Sequence, residues 1–194
     1  SNLPPRVYYF QRLFRQRDPA VRLAGIEHRE LQQLLRAVHA GIDCTVLDDK
    51  IAFHAFCARN DFPTPPIVAV FADGQALPPA AAASAWQRDL FSKPANSYSS
   101  HGVSCWRYQS ATESFTDGKQ TLDRAGLEAW FAAQSRDRTL IVQPRLFNAP
   151  EIAPISGHAL ANCRIVTARR SDGTLFVLLA AMRLGVGEAI ASDD

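Results

Sequence analysis

Two lysines, Lys50 and Lys93, occupy positions from which a side chain can do phosphate chemistry. Lys50 closes Asp48-Asp49-Lys50 at the expected start of a helix. Lys93 closes Leu90-Phe91-Ser92-Lys93 at the expected end of an apolar strand. Two ammonium groups aimed at one place suit a polyphosphate, because each is a compact cation with three rotatable donors. The positive end of a helix adds to Lys50, while Asp48 and Asp49 offset it. After Lys93 runs the polar loop Ala95-Asn96-Ser97-Tyr98-Ser99-Ser100-His101-Gly102, whose N–H groups and hydroxyls can meet phosphate oxygens. Each segment alone also fits something plainer: a capped helix, and a hairpin loop with a solvated lysine.

Two arginines form a second set. Arg164 lies in Asn162-Cys163-Arg164-Ile165-Val166-Thr167, and Arg183 interrupts an apolar strand just before Leu184-Gly185. An arginine on an apolar strand is either paired or faces a cleft. Its guanidinium can clamp phosphate or carboxylate with two parallel bonds; a structural ion pair is the alternative. Gln143-Pro144-Arg145-Leu146 leaves another apolar strand and can offer backbone groups to an adenine edge, although Pro144 has no N–H. A simple strand exit would look the same. The five histidines, His28, His39, His54, His101 and His158, show no metal spacing, and only His101 falls in a candidate loop. Paired-cysteine zinc motifs, Walker A, G-x-G-x-x-G and G-x-S-x-G are all absent.

Composition bounds the answer. The chain has 194 residues, 47% of them apolar, enough for one large domain or two small lobes sharing a cleft. A formal charge of +2 argues against a nucleic-acid partner, which calls for a concentrated basic face. The cationic stretch 6–29 reads as a solvated helix face. Cys44, Cys57, Cys105 and Cys163 are scattered and read as reduced thiols of a cytoplasmic protein. No apolar run reaches the roughly 20 residues that span a bilayer, and no signal peptide is evident. The chain does not begin with Met and contains only Met182, so it is expected to be processed or a fragment.

Periodicity supplies the elements that must position these groups. An amphipathic helix carrying Tyr8, Tyr9, Phe10, Leu13 and Phe14 is expected within 1–19. Residues 27–40 form a second helix, ended by Gly41, whose stripe Leu31, Leu34, Leu35 and Val38 should pack on the core. Asp48 or Asp49 caps the next helix, with Ile51, Phe53, Phe56 and Cys57 inward. A strand over 67–71 ends at Asp73-Gly74, and 78–86 is expected to be helical. Residues 91–93 and 103–108 pair as a hairpin. Asp117-Gly118 turns into a helix over 122–134 that buries Leu127, Trp130 and Phe131. A strand over 140–143 follows, then strands 163–169 and 175–184 about Asp172-Gly173. The apolar run 175–182 is expected to be buried.

Six pieces in this order carry a resemblance: Leu47-Asp48-Asp49-Lys50, Phe62-Pro63-Thr64-Pro65, Leu90-Phe91-Ser92-Lys93-Pro94, Leu140-Ile141-Val142-Gln143, Asn162 through Thr167, and Met182-Arg183-Leu184-Gly185. Together they resemble the sugar-transfer-associated ATP-grasp family, linked with cell-surface polysaccharide biosynthesis. The resemblance implies an α+β fold: two α+β lobes with antiparallel sheets around a nucleotide cleft, preceded by N-terminal helices. It divides the chain into a helical segment (1–46), a first lobe (47–139) and the incomplete start of a second (140–194). ATP and Mg²⁺ are the implied cofactors. Lys50 and Lys93 would contact the phosphates. The loop 97–102, with Ser99, Ser100, His101 and Gly102, would cover them. The hinge Gln143, Arg145 and Leu146 would hold adenine. Arg164 and Arg183 would stabilise the transferred phosphoryl group or an acceptor carboxylate.

The implied activity is an ATP-dependent ligase that activates a carboxylate as an acyl phosphate for attack by an amine, with a carboxylate or sugar-linked acceptor. A nucleotide-binding pseudoenzyme and a kinase-like phosphotransferase are the alternatives. This chain departs from the family pattern in three places. The loop has one glycine, Pro144 replaces an acidic residue, and the magnesium-binding residues belong to strands after Asp193-Asp194.

Overall fold

A computed structural model describes residues 13–15, 17, 28–78, 82–97, 101–157 and 159–185. Ser99, Ser100, Asp193, Asp194, His158 and most of the expected N-terminal helix lie outside them, apart from a 3₁₀ turn at Leu13–Arg15. The chain divides into two compact units, Ser1–Cys44 and Thr45–Asp194.

The first unit contains helix α1 (His28–Val38), with Gly41 after it in the left-handed region at φ 79°. Only a residue without a side chain takes that turn without strain. The 3.6-residue period of Leu31, Leu34, Leu35 and Val38 makes the helix amphipathic. The stripe expected to be packed is nevertheless exposed, with Val38 at 62%.

The second unit is built on a seven-stranded antiparallel sheet. Its strands are β1 (Ala69–Ala72), β2 (Gln75–Leu77), β3 (Leu90–Pro94), β4 (Ser104–Gln109), β5 (Ser114–Thr116), β6 (Thr121–Leu122) and β7 (Leu140–Pro144), in the order β2-β1-β7-β3-β4-β5-β6. Strand β7 is third in this order, paired with β1 and β3. Asp73 and Gly74, both at positive φ, make the two-residue turn that adds β2 to β1. Strands β2, β5 and β6 were not expected; they have two or three residues each, too few for a two-residue period to register.

Alternation divides the sheet into two faces. In β3, Leu90, Ser92 and Pro94 are buried while Phe91 and Lys93 are half-buried. The first set faces helix α4 (Arg124–Gln134), capped by Asp123, whose Oδ1 accepts from Gly126 N at 2.7 Å. Leu127 and Phe131 of α4 join Phe71, Leu90, Trp106, Phe115, Leu140 and Val142 in one core. Phe131 lies 5.5 Å from Phe71 and 6.4 Å from Trp106, ring centre to ring centre, in tilted and edge-on contacts. The polar atoms in this layer are satisfied. The Ser92 and Ser104 hydroxyls share a 2.7 Å hydrogen bond, and Trp106 Nε1 donates to Ser104 Oγ at 3.0 Å.

Helices α2 (Thr45–Asp48) and α3 (Lys50–Arg59) precede the sheet. Asp49 is the cap: its Oδ1 accepts from Ile51 N at 2.7 Å and Ala52 N at 3.3 Å. Cys57 is buried as expected, but Phe53 is exposed. Of the helix expected over 78–86, Pro78 and Ala82 are not helical and Ala83–Trp86 is a 3₁₀ turn.

After the short helix α5 (Ala153–Ser156), β8 (Asn162–Arg169) and β9 (Leu175–Arg183) form a separate two-stranded sheet. The Asp-Gly turn is as expected. Burial of the apolar run is not, because Leu175, Val177, Leu178 and Leu179 are all exposed. A hairpin of two strands can bury neither face by itself. Its base is anchored: Gly185 N donates to Ser156 Oγ at 3.0 Å, and a Cβ at Gly185 would sit 2.3 Å from Ala159 Cβ. The second unit thus has the mixed helix and antiparallel-sheet, α+β, character expected from sequence.

Candidate functional site

The sequence separates Lys50 and Lys93 by 43 residues; the fold brings them together. The turn that starts α3 abuts the end of β3, where Lys50 N donates to Ala95 O at 3.2 Å. Lys50 Nζ donates to Ala95 O at 3.1 Å and to Ser97 O at 2.9 Å. Two of its three donors are thus committed to the loop after β3, and one is left for a further acceptor. Burial pushes the Lys50 ammonium below the usual lysine range, and the Asp49 carboxylate pulls it back up.

Lys93 is the more exposed to conflict. It is half-buried on the sheet face opposite α4, and among the described residues its ammonium makes no hydrogen bond or ion pair. Burial lowers its proton affinity, and the nearby charge of Lys50 lowers it further. A half-buried cation beside a second cation is unfavourable by itself. An anion between the two would reverse the sign.

Register shows what else lies on that face. Lys93 pairs with Ile141, and Phe91 lies between Gln143 and Cys105. Gln143 is buried, and its Nε2 donates to Pro65 O at 2.9 Å, fastening the proline segment to the sheet. Cys105 is half-buried, and its thiol is pushed up by burial, with Arg145 opposing and Asp89 assisting. Just after β7, Arg145 N donates to Asp89 O at 2.8 Å and the Arg145 guanidinium lies 5.0 Å over the Phe147 ring. Leu146 is exposed.

Asn96, just after β3, lines two clefts. One, of about 320 Å³, is lined by Thr45, Asp48, Asp49 and Asn96. The other, of about 450 Å³, is lined by Pro94, Asn96, Ser97, His101, Asp137, Arg138 and Thr139. Gly102 closes the loop at φ +75°, against Pro94 and Arg138. Asp137 and Arg138 were not singled out on sequence. They sit in the turn between α4 and β7, where a charged pair looks like ordinary solvated surface.

Arg164 and Arg183 form their own pair. Arg183 is opposite Asn162 and Arg164 opposite Ala181, so the two arginines share one face of the β8–β9 hairpin as diagonal neighbours. Arg164 is exposed and Arg183 half-buried. The fold therefore gathers the lysines at one sheet and the arginines at the other.

The described residues hold no group of three or more His, Cys, Asp or Glu suited to a metal ion. No helix among them is long and apolar enough to cross a membrane. The four cysteines are unpaired, with Cys57 buried and Cys163 exposed.

No curated protein and no solved structure matches the chain. A family model described as sugar-transfer associated ATP-grasp matches residues 29–193, a span that takes in both lysines, the sheet that carries Lys93 and the arginine hairpin. The chain belongs to the sugar-transfer associated ATP-grasp family.

Proposed function

We propose that this chain binds ATP against the second face of its large sheet, with Lys93 as the principal phosphate contact. The observation that carries this is the state of Lys93: half-buried, without a partner among the described residues and repelled by Lys50. A triphosphate supplies the missing counter-charge. The last donor of Lys50 can reach the same anion, and the loop 97–102 would lie over it. Phe91 offers an apolar surface on the same face, beside Gln143 and the hinge through Arg145 and Leu146.

The reaction that fits this family reading is ligation in sugar-transfer chemistry. The γ-phosphoryl group passes to an acceptor carboxylate, giving an acyl phosphate and ADP. An amine then attacks the acyl carbon, the C–O bond to phosphate breaks, and an amide and inorganic phosphate result. Arg164 and Arg183, side by side on their hairpin, suit the negative charge on the phosphoryl oxygens or the acceptor. Magnesium is expected of the family, but the described residues supply no cluster for it, so no step is assigned to the ion.

Titration with ATP, followed by product analysis, tests the proposal. Trapping with hydroxylamine detects an acyl phosphate and supports the ligase. A stable phosphoester would replace it with a phosphotransferase. Binding without turnover would leave a nucleotide-binding pseudoenzyme, the reading favoured by Pro144 and the single glycine of the loop.

A further inference from the structure

One turn, Asp137-Arg138-Thr139, borders both ends of the loop after β3. At its start, Ala95 N donates to Thr139 O at 2.8 Å, and Ala95 is buried. At its close, a Cβ on Gly102 would stand 3.1 Å from Arg138 Nη1 and 3.1 Å from Pro94 Cγ. The guanidinium and the proline ring therefore leave room for glycine and little more. Arg138 is paired with Asp137 at the exposed surface: Nε donates to Oδ1 at 3.1 Å and Nη2 to Oδ2 at 3.2 Å. A planar fork bonded twice to one carboxylate has a set orientation, which a lysine cannot reproduce. That leaves Nη1 as the edge beside Gly102. His101, Asn96 and Ser97 line the cleft in which this guanidinium sits.

We propose that Arg138, oriented by Asp137, is a positioning residue that seats Gly102 on Pro94 and so fixes where the β3–β4 loop rejoins the sheet. Lys50 grips the opening of that loop through the carbonyls of Ala95 and Ser97, and Arg138 abuts its close. Loop ends that are already ordered leave less ordering to the moment of binding. The link to nucleotide rests on the ATP-binding reading; the hold on the loop does not.

The test has two arms. In nucleotide-free protein, Arg138→Ala should raise amide hydrogen exchange at Ala95 and at 101–103, with other segments unchanged. With ATP, the same variant should bind roughly tenfold more weakly while its thermal midpoint stays near that of the parent. Asp137→Ala should behave alike. This is diagnostic because deleting a carboxylate strengthens anion binding if charge alone acts, whereas loss of orientation weakens it. Arg138→Lys, which keeps the charge and loses the fork, should resemble Arg138→Ala.

Unchanged loop exchange in Arg138→Ala would overturn the inference, as would full recovery by lysine. Weaker ATP binding without a change in exchange would make Arg138 a direct ligand and also overturn it. Raised exchange with unaltered ATP affinity would uphold the positioning of Gly102 and count against a part for this loop in nucleotide binding.

Discussion

Replacing Lys93 by methionine should move stability and nucleotide affinity in opposite directions. Methionine keeps the length and apolar stem of the side chain and removes only the ammonium. In the free protein that ammonium is half-buried, has no partner among the described residues and is repelled by Lys50. At an effective dielectric constant of about 20, two unit charges about 4 Å apart repel by about 4 kcal/mol, and the repulsion falls as the inverse of their separation. Lys50 is half-exposed, so water and salt reduce this, and a net gain of about 0.5–1 kcal/mol on removing one charge is the reasonable scale. For a unit of this size the thermal midpoint should then rise by about 1–4 °C. The cost appears with ATP. A hydrogen bond to a charged group contributes about 1.5–3 kcal/mol, so the dissociation constant should increase roughly ten- to 150-fold.

Calorimetric titration with ATP and a thermal melt of the same two samples decide the matter. A core lysine that serves the fold would show the reverse pattern, with a lower midpoint and unchanged affinity. That result, or an ATP affinity within twofold of the parent, would refute the assignment of Lys93 to phosphate.

Four further outcomes follow from the same geometry. The pH dependence has a definite sign: the folded-state proton affinity of Lys93 lies below its unfolded value, so the unfolded chain holds more protons in the alkaline window between them. The Lys93 contribution to stability therefore rises with pH through that window, below the ordinary lysine value, while ATP affinity falls; Lys93→Met should flatten both in urea melts and titrations across it. Asp49→Ala removes the cap of α3 and should lower stability by about 1 kcal/mol in a denaturant melt. Phe131→Ala opens the aromatic core and should cost about 3–5 kcal/mol, read by the same melt. Alkylation followed by mass spectrometry should label exposed Cys163 first and buried Cys57 last; Cys105, on the Lys93 face with its thiol pushed up, should react slowly and more slowly still with ATP present.

Much of the fold was legible because its larger elements carry strong periods. Leu127, Trp130 and Phe131 mark α4, and Asp172-Gly173 marks the β8–β9 turn. What escaped was set by partners distant in the chain. The place of β7 between β1 and β3 depends on strands about 50 and 70 residues away, and nothing in Leu140-Ile141-Val142-Gln143 names them. Burial failed for a related reason. An apolar run such as 175–182 states that a strand can be covered, but coverage needs a second layer, and a lone hairpin does not provide one.

The candidate site shows the same division more sharply. Residue type and order were enough to single out Lys50 and Lys93, because an ammonium at a helix start and another at a strand end is a pattern in one dimension. Their difference in role is not. Lys50 spends two donors on the carbonyls of Ala95 and Ser97, so its first task is to fix the loop. Lys93 spends none among the described residues and carries the unfavourable charge. If both lysines simply met phosphate, either substitution would weaken ATP binding and leave the free loop unchanged. The observed bonding instead requires Lys50→Met to loosen the free loop at 95–97, and Lys93→Met to leave it in place. Hydrogen exchange on the two nucleotide-free variants separates these cases, and equal protection of the loop in both would remove the distinction drawn between the two cations.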